Sequence, residues 1–294
     1  MSFRLFMAHV AMFMVALFYA ANFSWAKLVM PDYVGAFGFI LLRVAAATFL
    51  FFVSSLFIKN NKIERADIGL IALSGFFGVS FNMLTFFKGL ELTTPLNGAL
   101  IMLTTPILVL VFSIVALKEK LSAIRIVGVI MGLGAALYLI LNSGNNSSLS
   151  APDPMLGNIL VTLNAASYGI YLIMIKPLTK KYHPVVLLTW TFGFGLIMVF
   201  PFGIQQVMLV EWGTMPAHIY WVIAFVLFCV TFLAYLLNGA ALTVVSPAVV
   251  GAYIYLQPLL TALIAVAGGF DKLSFELIVS AILIFGALYL VSRK

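Results

Sequence analysis

Two stretches of this chain are written to one pattern. Residues 95–122 read PLNGALIMLTTPILVLVFSIVALKEKLS, and residues 247–274 read PAVVGAYIYLQPLLTALIAVAGGFDKLS. In each, a proline opens an apolar segment, a second proline follows eleven residues later (Pro106, Pro258), and an acidic residue comes thirteen after that (Glu119, Asp271). Lys-Leu-Ser closes both copies. The shift of 152 continues into the next segment, pairing Ile126 with Ile278, Gly134 with Gly286 and Ala135 with Ala287. A weaker echo at 149 pairs Tyr19 with Tyr168 and Lys27 with Lys176. A chain that is one unit written twice is confined to folds with two like halves.

What each half contains follows from its polarity. Of 294 residues, 64% are hydrophobic and 9% charged, where a soluble domain carries about 25% charged residues. Mean hydropathy is +1.18. The expected solvent is therefore a lipid bilayer. A spanning helix needs about 20 apolar residues. Windows of that size fall near 5–26, 34–58, 67–87, 95–117, 123–142, 156–178, 184–206, 218–238, 246–268 and 275–292. The expected fold is an all-α integral membrane protein of ten transmembrane helices, arranged as two five-helix repeats over 1–142 and 155–294. Residues 143–154, polar, rich in turn formers and free of Lys and Arg, form the linker. Arg4 before an apolar run imitates a signal peptide, but Asn22, Trp25 and Lys27 crowd the place of a cleavage site. It is read as a retained first span.

Orientation follows from the basic residues. With the N-terminus inside, twelve Lys and Arg lie at inner ends, among them Arg4, Lys59, Lys62, Arg65, Arg125, Lys180 and Lys181. Only Lys27, Lys88 and Lys272 lie at outer ones. That bias puts both termini in the cytoplasm. Five is odd, so the second half enters the bilayer from the opposite side and the repeats are inverted. Such pairs characterise secondary transporters, in which a cavity at the repeat interface opens to each side in turn. The blander alternative is duplication that merely enlarged a bundle.

The doubled pattern of Pro95, Pro106, Glu119 and Gly134, with Arg43 in the second span, resembles the EamA family of the drug/metabolite transporter superfamily, from about Ala11 to Ser292. The resemblance implies a ten-helix inverted-repeat fold and a central cavity lined by the first, third and fourth helices of each half. It also implies carriage of small metabolites, often export of amino acids or related compounds. Two departures stand out. Asp271 falls where glutamate is commoner, and Phe192 falls where Arg43 would repeat.

Charges at bilayer depth are expensive and mark a pathway or a partner. Here the deep charges reduce to Arg43, about nine residues into its helix. A guanidinium binds carboxylate bidentately, so Arg43 suits an anionic substrate group. Alternatively it bonds a neighbouring helix and fixes packing. No Asp or Glu lies deep in any span, which leaves a carboxylate proton relay or sodium site without a midplane candidate. Polar and aromatic residues form stripes at helical spacing. They comprise Phe18, Asn22 and Trp25; Asn82, Thr85 and Phe86; Asn164, Tyr168 and Tyr171; Thr231, Tyr235 and Asn238; and Tyr253 with Gln257. Aromatic walls with a few amides and hydroxyls suit a small amphipathic ligand. Trp25 and Tyr235 also suit interface anchors. Pro106 and Pro258 are expected mid-helix, where each frees a carbonyl, and Thr105 precedes the first of them. The expected lining is thus Asn22, Arg43, Asn82, Phe86, Thr105, Asn164, Tyr168, Tyr171, Tyr253 and Gln257. Gly128, Gly132 and Gly134 form a small-residue face for helix packing, within the chain or between protomers.

Other classes fare worse. One cysteine, Cys229, excludes an internal disulfide and a thiolate metal cluster. The three histidines form no HExxH, and there is no GxSxG or GxxxxGK[ST]. An intramembrane enzyme therefore has no machinery, and no metal or cofactor is expected. The excess of +7 gathers into no basic tract, so nucleic acid is not an expected partner. A receptor or scaffold would carry a sizeable extramembrane domain. The expected partners are a small-molecule substrate and lipid, with the protein a monomer or homodimer. The expectation is a multi-pass carrier of the plasma (inner) membrane that exports amino acids or related compounds by alternating access. An uptake permease for nucleobases, vitamins or sugars is the runner-up.

Overall fold

The computed structural model describes residues 3–25, 28–30, 32–59, 62–93, 98, 101–118, 122–142, 152–267 and 275–292. Among these residues the regular structure is entirely helical. In chain order the helical runs are α1 (Phe3–Trp25), α2 (Ala36–Ser55), α3 (Arg65–Leu92), α4 (Thr105–Leu117), α5 (Ala123–Asn142), α6 (Pro154–Leu178), α7 (Pro184–Met208), α8 (Ala217–Val244), α9 (247–267) and α10 (Phe275–Ser292). In lipid a backbone must satisfy its own hydrogen bonds, and a helix does so within one segment. The starts follow local chemistry. Pro154 and Pro184 sit in the first turns of α6 and α7, where proline's missing N–H costs no bond. Asp153 caps α6 by accepting from the Leu156 amide at 3.1 Å. Lys118 ends α4 in a left-handed conformation, φ 51°.

Counted over the described residues alone, six of these helices (α1, α2, α3, α6, α7 and α8) are long and apolar enough to cross a bilayer. The expectation of ten spans is thus met more coarsely. The apolar stretches Thr105–Leu117, Ala123–Ala135 and Ile278–Ser292 are shorter, and α9 is interrupted. Pro95, Glu119, Asp271 and most of the expected linker lie outside the described residues. The two prolines differ from expectation. Pro106 stands in the first turn of α4, after a turn at Leu103–Thr104. Pro258 stands in the first turn of Leu256–Ala267, after a 3-10 turn at Tyr253–Tyr255. Pro106 thus follows a turn, whereas Pro258 follows a 3-10 turn that tightens α9 without ending it.

Packing is symmetric under exchange of the halves. Counterparts pack on each other: α2 on α7, α4 on α9 and α5 on α10. The contact of α1 with α8 is mirrored by that of α6 with α3, and α1 with α9 by α6 with α4. Close approaches need glycine. A Cβ at Gly75 would meet the Thr191 carbonyl of α7, one at Gly157 would meet Thr93, and one at Gly203 would meet the Phe37 carbonyl of α2. Gly128 and Gly132 of the expected packing face lie against Ala287 of α10, so that face is occupied within the chain; Gly134 meets nothing. Large apolar side chains such as Phe49, Phe52, Ile197, Phe228, Ile282 and Phe285 point outward, as lipid contact requires.

The loops pair too. Between α2–α3 and α6–α7 the clasp is ionic: Lys181 Nζ lies 2.6 Å from Glu64 and 2.7 Å from Asp67, and the Tyr182 hydroxyl donates to Asp67. The hydrogen bond to Asp67, then that to Glu64, holds the Lys181 ammonium above the usual lysine range. The contact of the α1–α2 loop with the α7–α8 connection and the first turn of α8 is apolar instead, built from Val29, Val34, Met215 and Ile219.

Candidate functional site

A cavity lies where the halves meet. Its wall takes Tyr19 and Asn22 from α1, Arg43 from α2, Asn82, Met83, Phe86 and Phe87 from α3, and Met102 ahead of α4. The second half adds Asn164 and Tyr168 from α6, Tyr235 from α8, and Ile254 and Gln257 from α9. The empty space is about 750 Å³, counting the part open to solvent.

Two features of helix geometry build this wall. Within α3, Phe76–Ser80 is a π-helical segment, and within α8 so is Val226–Leu233. They open at matching positions of the repeat. An i→i+5 turn widens the helix and leaves groups free for other partners. In α3 the Gly78 carbonyl accepts from the Tyr235 hydroxyl of the other half at 2.8 Å. In α8 the Thr231 hydroxyl donates to Val226 O and accepts from Arg43 Nε at 2.9 Å.

The amides are held by exchange. Asn82 Nδ2 donates to the Asn164 carbonyl at 3.3 Å, and Asn164 Nδ2 donates to the Asn82 carbonyl at 2.7 Å. This pair orients both amides and ties α3 to α6. Asn164 Oδ1 and Asn22 Oδ1 are left buried without a hydrogen-bond partner among the described residues. Unsatisfied acceptors of this kind are costly unless something donates to them.

Arg43 is the one charged side chain buried among the described residues, at 5% exposure. Its guanidinium lies 5.3 Å from the centre of the Phe87 ring, a cation–π distance. Among the described residues no carboxylate pairs with it. At Phe192, where the repeat would place a second arginine, a buried ring meets Tyr235 edge-on at 4.8 Å. The site is therefore cationic on one side only.

Of the residues expected from sequence, Asn22, Arg43, Asn82, Phe86, Asn164, Tyr168 and Gln257 come together on this wall, and three lie off it. Thr105 is fully buried, its hydroxyl without a hydrogen-bond partner. Tyr171 is buried against Gly78. Tyr253 shares a 2.8 Å hydrogen bond with His9 Nδ1. Tyr235, expected as an interface anchor, is buried on the wall, whereas Trp25 is exposed against Phe225. Tyr19, Met83, Phe87, Met102 and Ile254 line the cavity beyond the expected set. Tyr19 carried a signal, because the repeat pairs it with Tyr168. The methionines and Ile254 carried none. Arg43 also brings in a second helix, beyond the first, third and fourth that the resemblance implied.

A multi-pass helical bundle of two like halves around a partly aromatic, singly cationic cavity defines a class: membrane transport proteins built by duplication. The chain belongs to the EamA-like transporter family, whose model matches residues 6–141 and 155–293. It is similar to the uncharacterized transporter YyaM of Bacillus subtilis, 24% identical over 279 residues, covering 93% of this chain and 90% of that protein. An uncharacterized transporter of Archaeoglobus fulgidus is 23% identical over 290 residues, covering 97% of each. A solved crystal structure matches with a TM-score of 0.77 at 18% identity, covering 96% of this chain and 95% of the other, a likeness of fold.

Proposed function

We propose that this protein is an alternating-access carrier that moves a small amphipathic metabolite, an amino acid or a related compound, outward across the plasma membrane. The observation that carries this reading is the cavity between the two halves, to which α1, α2 and α3 contribute on one side and α6, α8 and α9 on the other. A site shared by two similar bodies changes its access when they rock against each other.

Loop contacts are compatible with ten crossings, and the basic bias supports both termini in the cytoplasm. In that topology the α2–α3 and α6–α7 loops share the inner side, and Lys181 joins Glu64 and Asp67 there. The α1–α2 and α7–α8 connections share the outer side, where Val34 and Met215 belong to one cluster. The start of α6 and the end of α3 are also outer neighbours, and the Asp153 amide donates to the Leu92 carbonyl at 3.2 Å.

The test is uptake of labelled amino acids, nucleobases and sugars into proteoliposomes, with and without a pH gradient. Saturable flux of amino acids independent of the gradient is the expected result. Phospholipid scrambling or hydrolysis in place of metabolite flux would defeat the carrier reading.

A further inference from the structure

The carrier reading leaves the chemistry of the cargo open, and the surroundings of Arg43 narrow it. This buried cation has a hydroxyl on Nε and an aromatic face beneath it. A hydroxyl dipole and a ring quadrupole steady a guanidinium but do not neutralise it. Burial of a charge without a counter-charge is costly, and intramembrane arginines normally have an acidic or carbonyl partner. Here the remaining N–H bonds, the fork that grips a carboxylate in the bidentate manner, meet no hydrogen-bond partner among the described residues, on a residue that lines the cavity.

We infer that Arg43 is the specificity-determining residue of the cavity, and that it selects a small monocarboxylate whose anion neutralises it. One guanidinium balances one negative charge. A cation would be repelled, and a neutral sugar or nucleobase would leave the charge uncompensated. The body of the ligand meets Phe86, Phe87 and Tyr168. An N–H donor on the ligand satisfies the partnerless Asn164 Oδ1, whose residue is only 3% exposed. Thr231 acts as a positioning residue. Held in the π-helical segment of α8, its hydroxyl takes Nε and turns the fork of Arg43. Because Arg43 and Thr231 come from different halves, the ligand's charge is read across the interface that moves.

This inference rests on the carrier reading for its biological meaning, but it is tested by binding alone. The probes are leucine and phenylalanine, each beside its amide and its decarboxylated amine, with 3-phenylpropionate as an acid lacking nitrogen. Binding is measured to the full-length protein in lipid nanodiscs. The acids are expected to bind at least tenfold more tightly than the amides and amines. Arg43→Gln is expected to abolish that preference, and Arg43→Lys to keep its direction with weaker affinity. Thr231→Val leaves the cation in place, so it should weaken the acids severalfold and leave the amides unchanged. Amides or amines binding as well as acids, no acid binding at all, or unchanged discrimination in Arg43→Gln would each overturn the assignment. Flux measured in parallel separates the two ideas. Acids that bind through Arg43 yet do not cross a proteoliposome membrane sink the carrier and leave the anion site standing. Amides, which keep the amino group but lack the carboxylate, crossing as fast as the acids would sink the anion site and leave the carrier.

Discussion

Asn82 and Asn164 exchange side-chain-to-backbone hydrogen bonds, and each amide is oriented by the carbonyl it feeds. Replacing Asn164 with alanine would remove one donor from the Asn82 carbonyl, which still accepts from the Thr85 hydroxyl at 3.1 Å, a cost of about 1 kcal/mol for the lost hydrogen bond. Thermal unfolding in detergent should show that loss. At the cavity wall the outcome should be different in kind. Tyr168→Ala and Gln257→Ala remove wall atoms, so transport should fall at least tenfold while membrane insertion is unchanged. Normal flux in both variants would mean that the lining has been misassigned. Gly78 reports on packing. A methyl there would enter the space of the Tyr171 ring, and overpacking of this sort costs about 1–3 kcal/mol. Gly78→Ala should therefore lower the melting temperature, whereas Gly134→Ala, with nothing nearby, should not.

At the level of the helix, the matched π-helical segments of α3 and α8 are where regular geometry yields to the site. The Tyr235 hydroxyl on the Gly78 carbonyl braces one of them from the other half. Tyr235→Phe removes that brace at a cost of about 1 kcal/mol. Hydrogen–deuterium exchange should then rise in residues 76–83, with the α5–α10 pair unaffected. The prolines make the opposite point. Pro106 opens α4 instead of bending it, so Pro106→Ala restores no missing intrahelical bond. Its effect on stability should stay below about 1 kcal/mol. A proline in the middle of a continuous helix would cost about 3 kcal/mol, so a gain of that size would show that the helix runs through.

For the whole molecule, the exchange symmetry of the contacts ties function to topology. If α1 packs on α8 as α6 packs on α3, and each half has five crossings, the chain ends must lie on one side. A Cys229→Ser background carrying a single cysteine near either terminus should be labelled by an impermeant maleimide from the cytoplasmic side only. The two loop clasps differ in chemistry under this symmetry, ionic at one end and apolar at the other. High salt should therefore loosen one end and leave the other alone.

Much of this was readable in one dimension, because periodicity and solvent preference are local. Apolar runs of helix length, the doubled proline spacing, the basic bias and the lone deep charge at Arg43 needed no neighbours to be seen. The stripes placed Asn22, Asn82, Asn164, Tyr168 and Gln257 on helix faces for the same reason. What lay opposite each face was settled only in three dimensions. Helical spacing cannot say that Tyr171 turns to Gly78, that Thr105 is buried away from the cavity, or that Tyr235 faces inward and not to the lipid edge. Nor can it reveal a π-helical turn, since that costs one residue of register and leaves composition unchanged. The residues by themselves determined that the chain is a duplicated membrane bundle holding one buried cation. Tertiary packing decided which side chains that cation meets, because Phe87 sits on another helix of its own half and Thr231, 188 residues away, comes from the other half.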